Sequence, residues 1–193
     1  FAGFMGEEAG QQGAKALSGK EKFDFAIVGE PTRLQTVNRH KGSLWLTLRA
    51  HGRAAHASTP QIGENAIEKI LAVTDMLRRE LSAHFGACSD ETLGPLTFNL
   101  GTIQGGSKIN VVPDLCEAKI DIRTIPGQDL APLLDSLAKQ FTAVEFEPRI
   151  LDPLQTDPDH PFIRLLDACG ARCVGAPWYC DAAFLAAAGT PAV

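Results

Sequence analysis

The chain has 193 residues, with 18 Lys+Arg against 23 Asp+Glu for a formal charge of −5, and 45% of its residues are hydrophobic. That is ordinary globular usage with enough apolar surface to offset chain entropy, which excludes intrinsic disorder. No run of about 18 uncharged apolar residues offers a membrane span, and an acidic chain without a Lys/Arg cluster is a poor partner for nucleic acid.

Phe1-Ala2-Gly3-Phe4-Met5 reads like the inside of a strand and carries no basic leader segment. Phe23 to Val28 is a short apolar run ending at Gly29-Glu30-Pro31, which predicts a buried strand delivering Glu30 at its C-terminal end. From Ser43 to Arg49 leucines recur at every second position, the signature of a half-buried strand. Asn65 then precedes Ile67, Ile70, Leu71, Thr74, Leu77 and Leu81, a helical stripe with Asn65 as N-cap. Strands follow near 96–103 and 111–125. Leu130, Leu133, Leu134, Leu137 and Phe141 mark a second helix, and 143–146 a closing strand.

The order β-α-β-β-α-β from about 40 to 150 predicts a ferredoxin-like sandwich. Residues 1–38 and 152–193 are expected to form part of a second, α/β body, with 39–151 inserted into it as a lid. Gly189-Thr190-Pro191-Ala192-Val193 stops where another strand should begin, so both termini are expected to be interruptions of a longer chain. Five cysteines, an odd number, favour reduced thiols and a cytoplasmic setting. Cys169 and Cys173 lack the two-residue gap of a redox or zinc-knuckle pair and read as small buried residues.

Several residues could carry chemistry. In Glu7-Glu8, adjacent acids point in different directions, so one can bind a metal while the other handles a proton; taken alone, the pair reads more simply as two solvated acids at a helix start. Glu30 is stiffened by Pro31, as a ligand needs, or it caps a turn. His56 lies among small residues that leave its imidazole accessible, whether or not it is used. Asn110 follows Gly105-Gly106 in what could also be an ordinary hairpin loop. Arg123, on the strand face opposite Ile120 and Ile122, could clamp a carboxylate or simply be solvated.

In this order the motifs resemble the di-zinc aminoacylase and carboxypeptidase family, which includes acetylornithine deacetylase and succinyl-diaminopimelate desuccinylase. Glu7-Glu8 with Gly10 and Gly13-Ala14 is similar to its Asp-Glu-Glu motif, with Gly6 in the Asp place. Gly29-Glu30-Pro31-Thr32 resembles its second acidic motif. Gly52 to His56, and Gly105-Gly106 with Asn110 and Pro113, resemble its lid. Asp181-Ala182-Ala183-Phe184 is similar to its late Thr-Asp segment, with Cys180 in the Thr place.

The resemblance implies a metal-dependent amide hydrolase that deacylates an N-acyl amino acid or cleaves a short peptide. It implies Glu7 as general base, Glu8 and Glu30 as ligands of two zinc ions (cobalt or manganese being alternatives), and His56 as a carbonyl-polarising group reaching into the partner of a homodimer. Asn110 and Arg123 would hold the substrate. The family's His-x-Asp pair, bridging Asp and final ligand His have no counterpart here, so this polypeptide is expected to bind zinc weakly and to be inactive. A non-catalytic dimerising or ligand-binding protein of the same fold is the alternative.

Overall fold

The computed structural model describes residues 1–6 and 10–193. Helix α1 (Gln12–Ser18) is followed by β1 (Thr36–His40) and β2 (Gly42–His51), with Lys41 alone between the two strands. Then come α2 (Ala66–Phe85), the small hairpin of β3 (Ser89–Asp90) and β4 (Gly94–Pro95), and β5 (Thr97–Gly105). Next are β6 (Leu115–Thr124), α3 (Ala131–Gln140), β7 (Val144–Leu151) and β8 (Leu154–Gln155). The chain finishes with α4 (Pro161–Ala168), β9 (Cys173–Ala176) and α5 (Ala182–Ala187).

Two sheets divide these strands. The larger has the order β5-β6-β2-β7 and is antiparallel throughout, the strand order of a β-α-β-β-α-β sandwich. Alternation decides which face is covered: Leu44, Leu46, Leu48 and Ala50 of β2 point inward with Ile120 and Ile122 of β6. They meet Ile70, Val73, Leu77 and Leu81 of α2 and Leu134 and Leu137 of α3 in one core. Each such Leu or Ile contributes about 1.5–3 kcal/mol by leaving water. Asn65 caps α2 as its sequence predicts, its Oδ1 accepting from the backbone N–H groups of Ile67 at 3.0 Å and Glu68 at 3.3 Å.

The smaller sheet has the order β8-β1-β9, with β1 antiparallel to β8 and parallel to β9. The β3–β4 hairpin straps the two sheets together. Asp90 pairs with Arg39 of β1 at 3.0 Å, and the Lys41 ammonium donates to the Pro95 carbonyl at 2.6 Å. Leu93, between the two short strands, is buried where Gly175 of β9 leaves room for it.

Some expectations are corrected. Phe23–Val28 is not a full strand: Ala26 forms a single parallel bridge with Ala192, and Val28 donates to the Val193 carbonyl. Residues 111–114 lie outside β6, where Pro113 has no N–H to give a ladder. Strand β7 runs past Pro148, which is tolerated because β7 is an edge strand bonded only to β2. Leu71 is half exposed, one step round the helix from buried Ile70. Cys169 and Cys173 are exposed, and only Cys116 and Cys180 are buried. His40 lies on β1 of the smaller sheet.

Candidate active site

Two groups of the sequence-derived candidates sit at opposite ends of the four-stranded sheet. At the far end, beyond β2 and before β6, the loops carrying His56 and Asn110 are joined. His56 bridges Val111, Ala57 donates to the Asn110 carbonyl at 3.0 Å, and Val112 donates to the Ala55 carbonyl at 2.8 Å. The loop is closed below by reciprocal bonds between Arg53 and Glu64, both at 2.9 Å. Gly52 is required there, since a Cβ at that position would collide with the Glu64 carbonyl oxygen. Gly106 supplies the left-handed turn (φ +77°) that sends the chain from β5 toward Asn110. Ala57, Asn65, Gly105, Lys108 and Pro113 line an open cavity of about 560 Å³ at this tip.

The hydrogen bonds of His56 fix its proton. Ser58 donates its backbone N–H to Nδ1 at 3.2 Å and its hydroxyl lies 2.7 Å from the same nitrogen. Because Nδ1 accepts, the neutral ring carries its proton on Nε2. The side chain is exposed, so that N–H is presented to whatever approaches the tip. Asn110 is exposed beside it.

Arg123 lies at the other end of β6, in register with Ser43 and Thr97, and donates to Asp121 at 2.8 Å. From Leu115 to Arg123 the strand spans about 26 Å at about 3.3 Å per residue. Asn110 and His56 therefore cannot share one small molecule with Arg123 of the same chain. Near Arg123 sits Lys41, which sequence reasoning missed; its signal is Gly42, where a Cβ would strike the Thr124 hydroxyl and the Leu151 carbonyl. Burial, with the like charge of Arg123 second, holds the Lys41 ammonium below the ordinary lysine range.

Glu30 is half-buried on the wall of a cavity of about 430 Å³ whose other walls include Ile27, Leu34, Leu166, Cys180 and Val193. Glu7 and Glu8 lie outside the described residues. Asp181 is buried at the start of α5 with Oδ1 unbonded, and burial raises its carboxyl above the usual range. His40, fully buried, donates Nδ1–H to the Lys41 carbonyl at 2.9 Å and packs edge-on against Tyr179 with ring centroids 5.0 Å apart. Burial pushes its imidazole down to about 4. Among the described residues no three His, Cys, Asp or Glu side chains gather to hold an ion.

The fold and these loops define a class: a ferredoxin-like lid with a histidine-bearing tip, carried on a smaller α/β sheet. The sequence profile of the peptidase dimerisation domain matches residues 38–147, and the chain belongs to this M20 peptidase family. A probable carboxypeptidase of Aspergillus clavatus is 36% identical over 169 residues, covering 80% of this chain and 41% of that protein. The acetylornithine deacetylase of Klebsiella pneumoniae is 32% identical over 181 residues, covering 83% of this chain and 46% of the enzyme. The chain thus spans about half or less of the length of these relatives. Aminopeptidase PepT from Bacillus cereus superposes with a TM-score of 0.71 at 20% identity, over 97% of this chain and 52% of that one, a likeness of fold.

Proposed function

We propose that this chain is the lid and part of the catalytic body of a metal-dependent amide hydrolase that acts, as a homodimer, on N-acyl amino acids or short peptides. Membership of the peptidase dimerisation family supports the reading, as does kinship with a deacetylase and carboxypeptidases. The observation that carries it is the placement of an imidazole N–H donor and an amide at one tip of the lid, with a guanidinium at the other end of the same sheet. Two copies meeting through their lids can bring the tip of one to the junction of the other.

In that arrangement His56 Nε2–H donates to the scissile carbonyl oxygen as charge builds on it, Asn110 orients the substrate backbone, and Arg123 of the facing copy clamps the substrate carboxylate. Glu30 is the described member of the proposed ligand set. Glu8 is its second member in this chain, with Glu7 as the proton-transferring base, and zinc is the proposed metal, with cobalt or manganese as alternatives.

The test is hydrolysis of N-acetyl amino acids and dipeptides by the full-length protein, with and without added zinc, cobalt or manganese. His56→Ala is expected to lower kcat by about 10²–10³-fold, the effect of losing one oxyanion donor, with metal content unchanged. A variant with wild-type turnover overturns the role of His56. Absence of metal-stimulated hydrolysis across the substrate set favours a ligand-binding protein of the same fold.

A further inference from the structure

Lys41 is the single residue between β1 and β2, and it is 5% exposed. Its Nζ donates to the Pro95 carbonyl at 2.6 Å. That bond employs one of three N–H donors and leaves the charge uncompensated. Two other cations stand at the same junction and both are matched: Arg39 by Asp90 at 3.0 Å, Arg123 by Asp121 at 2.8 Å. Among the described residues no carboxylate pairs with Lys41, and the charge that acts on it is the like charge of Arg123. Among the described residues these three cations face two carboxylates, and the unmatched charge falls on Lys41, the most buried of the three cations, where it is costly unless an anion completes it. Ser43, in register with Arg123, buries its hydroxyl without a hydrogen-bond partner.

We propose that Lys41 is the second cation of a carboxylate subsite at the junction of the two sheets, formed with Arg123 and the Ser43 hydroxyl. The net charge of one selects a monocarboxylate over a phosphate dianion, which would leave the junction negative. Lys41 supplies the compensating charge, Arg123 the planar fork that sets orientation, and Ser43 a third donor. The β3–β4 strap holds the ammonium in place through Pro95. This deepens the proposed hydrolase and rests on its assignment of Arg123 to the substrate carboxylate, but the binding step can be read without any hydrolysis.

The experiment is a backbone-amide NMR titration of the metal-free chain, in the presence of a chelator, with N-acetylglycine, neutral N-acetylglycinamide and inorganic phosphate as probes. N-acetylglycine is expected to shift Lys41, Ser43 and Arg123 saturably, and the other two probes are not. Lys41→Met is expected to raise Kd at least about tenfold, and Lys41→Arg to stay within about threefold of wild type. Lys41→Gln, which keeps an N–H for the Pro95 carbonyl, carries the same test if the Met variant does not fold. Wild-type affinity in Lys41→Met or Lys41→Gln overturns the proposal. So does equal binding of the neutral amide or tighter binding of phosphate. Failure of hydrolysis with this binding intact would sink the proposed reaction and leave the subsite standing.

Discussion

His40 shows how one side chain couples the fold to pH. Its ring is fully buried, its Nδ1–H is committed to the Lys41 carbonyl, and among the described residues Nε2 makes no hydrogen bond, so burial outweighs the backbone groups that favour the charged ring. The folded imidazole titrates near 4 against an ordinary 6.5. As pH falls below 6.5 the unfolded chain takes up a proton that the folded one refuses, so stability declines through that window and the contribution is lost below the folded pKa. The full loss is about 3 kcal/mol. Urea unfolding at pH 7.5 and 4.5 checks this: His40→Gln should be less stable than wild type at pH 7.5 yet lose less on acidification. Equal acid losses in both proteins would show that other groups control the acid limb. A second residue-scale expectation concerns Asn65. Asn65→Ala removes the acceptor for two orphan N–H groups of α2 and should cost about 1 kcal/mol, read as a lower urea midpoint with an unchanged slope.

Among the elements, legibility in the sequence follows length and periodicity. Strand β2 and helix α2 repeat their apolar positions over 10 and 20 residues, enough for the periods of 2 and 3.6 to stand apart, and both were readable. Strands β8 and β9, of 2 and 4 residues, carry no period, and their pairing with β1 depends on segments more than a hundred residues away in sequence. The site divides in the same way. His56 and Asn110 stand in loops marked by glycines in the sequence, whereas Lys41 looks like any strand-flanking lysine until tertiary structure buries it. Strand β5 is one of the two edges of the four-stranded sheet. It is a nine-residue edge strand bonded only to β6, and Ile103 on it is 42% exposed. An edge of that length with an apolar side chain can take a second strand, and the proposed homodimer would use it. Placing a charge there, as in Ile103→Lys, should shift sedimentation from dimer toward monomer while the circular dichroism stays the same. A dimer of undiminished strength would move the interface elsewhere.

Over the whole molecule, the separation of His56 from Arg123 becomes an argument about assembly. The ten-residue strand β6 is straight antiparallel ladder against β2 from Leu115 to Thr124, so no side-chain rearrangement closes the distance within one copy. Either the two residues serve different purposes, or the site is built from two chains. A twofold dimer makes a specific prediction, because each composite site takes its tip from one subunit and its junction from the other. Combining His56→Ala chains with Arg123→Ala chains creates heterodimers in which one site has lost both groups and the other has kept both. Each variant alone should be nearly inactive, whereas co-refolded mixtures, about half of them heterodimers with one intact site each, should recover about a quarter of wild-type turnover. If both residues worked within one chain, every site in the heterodimer would lack one of them and mixing would recover nothing. The assay needs only an equimolar mixture and a dilution series, since recovered activity that tracks dimer concentration identifies subunit exchange as its source.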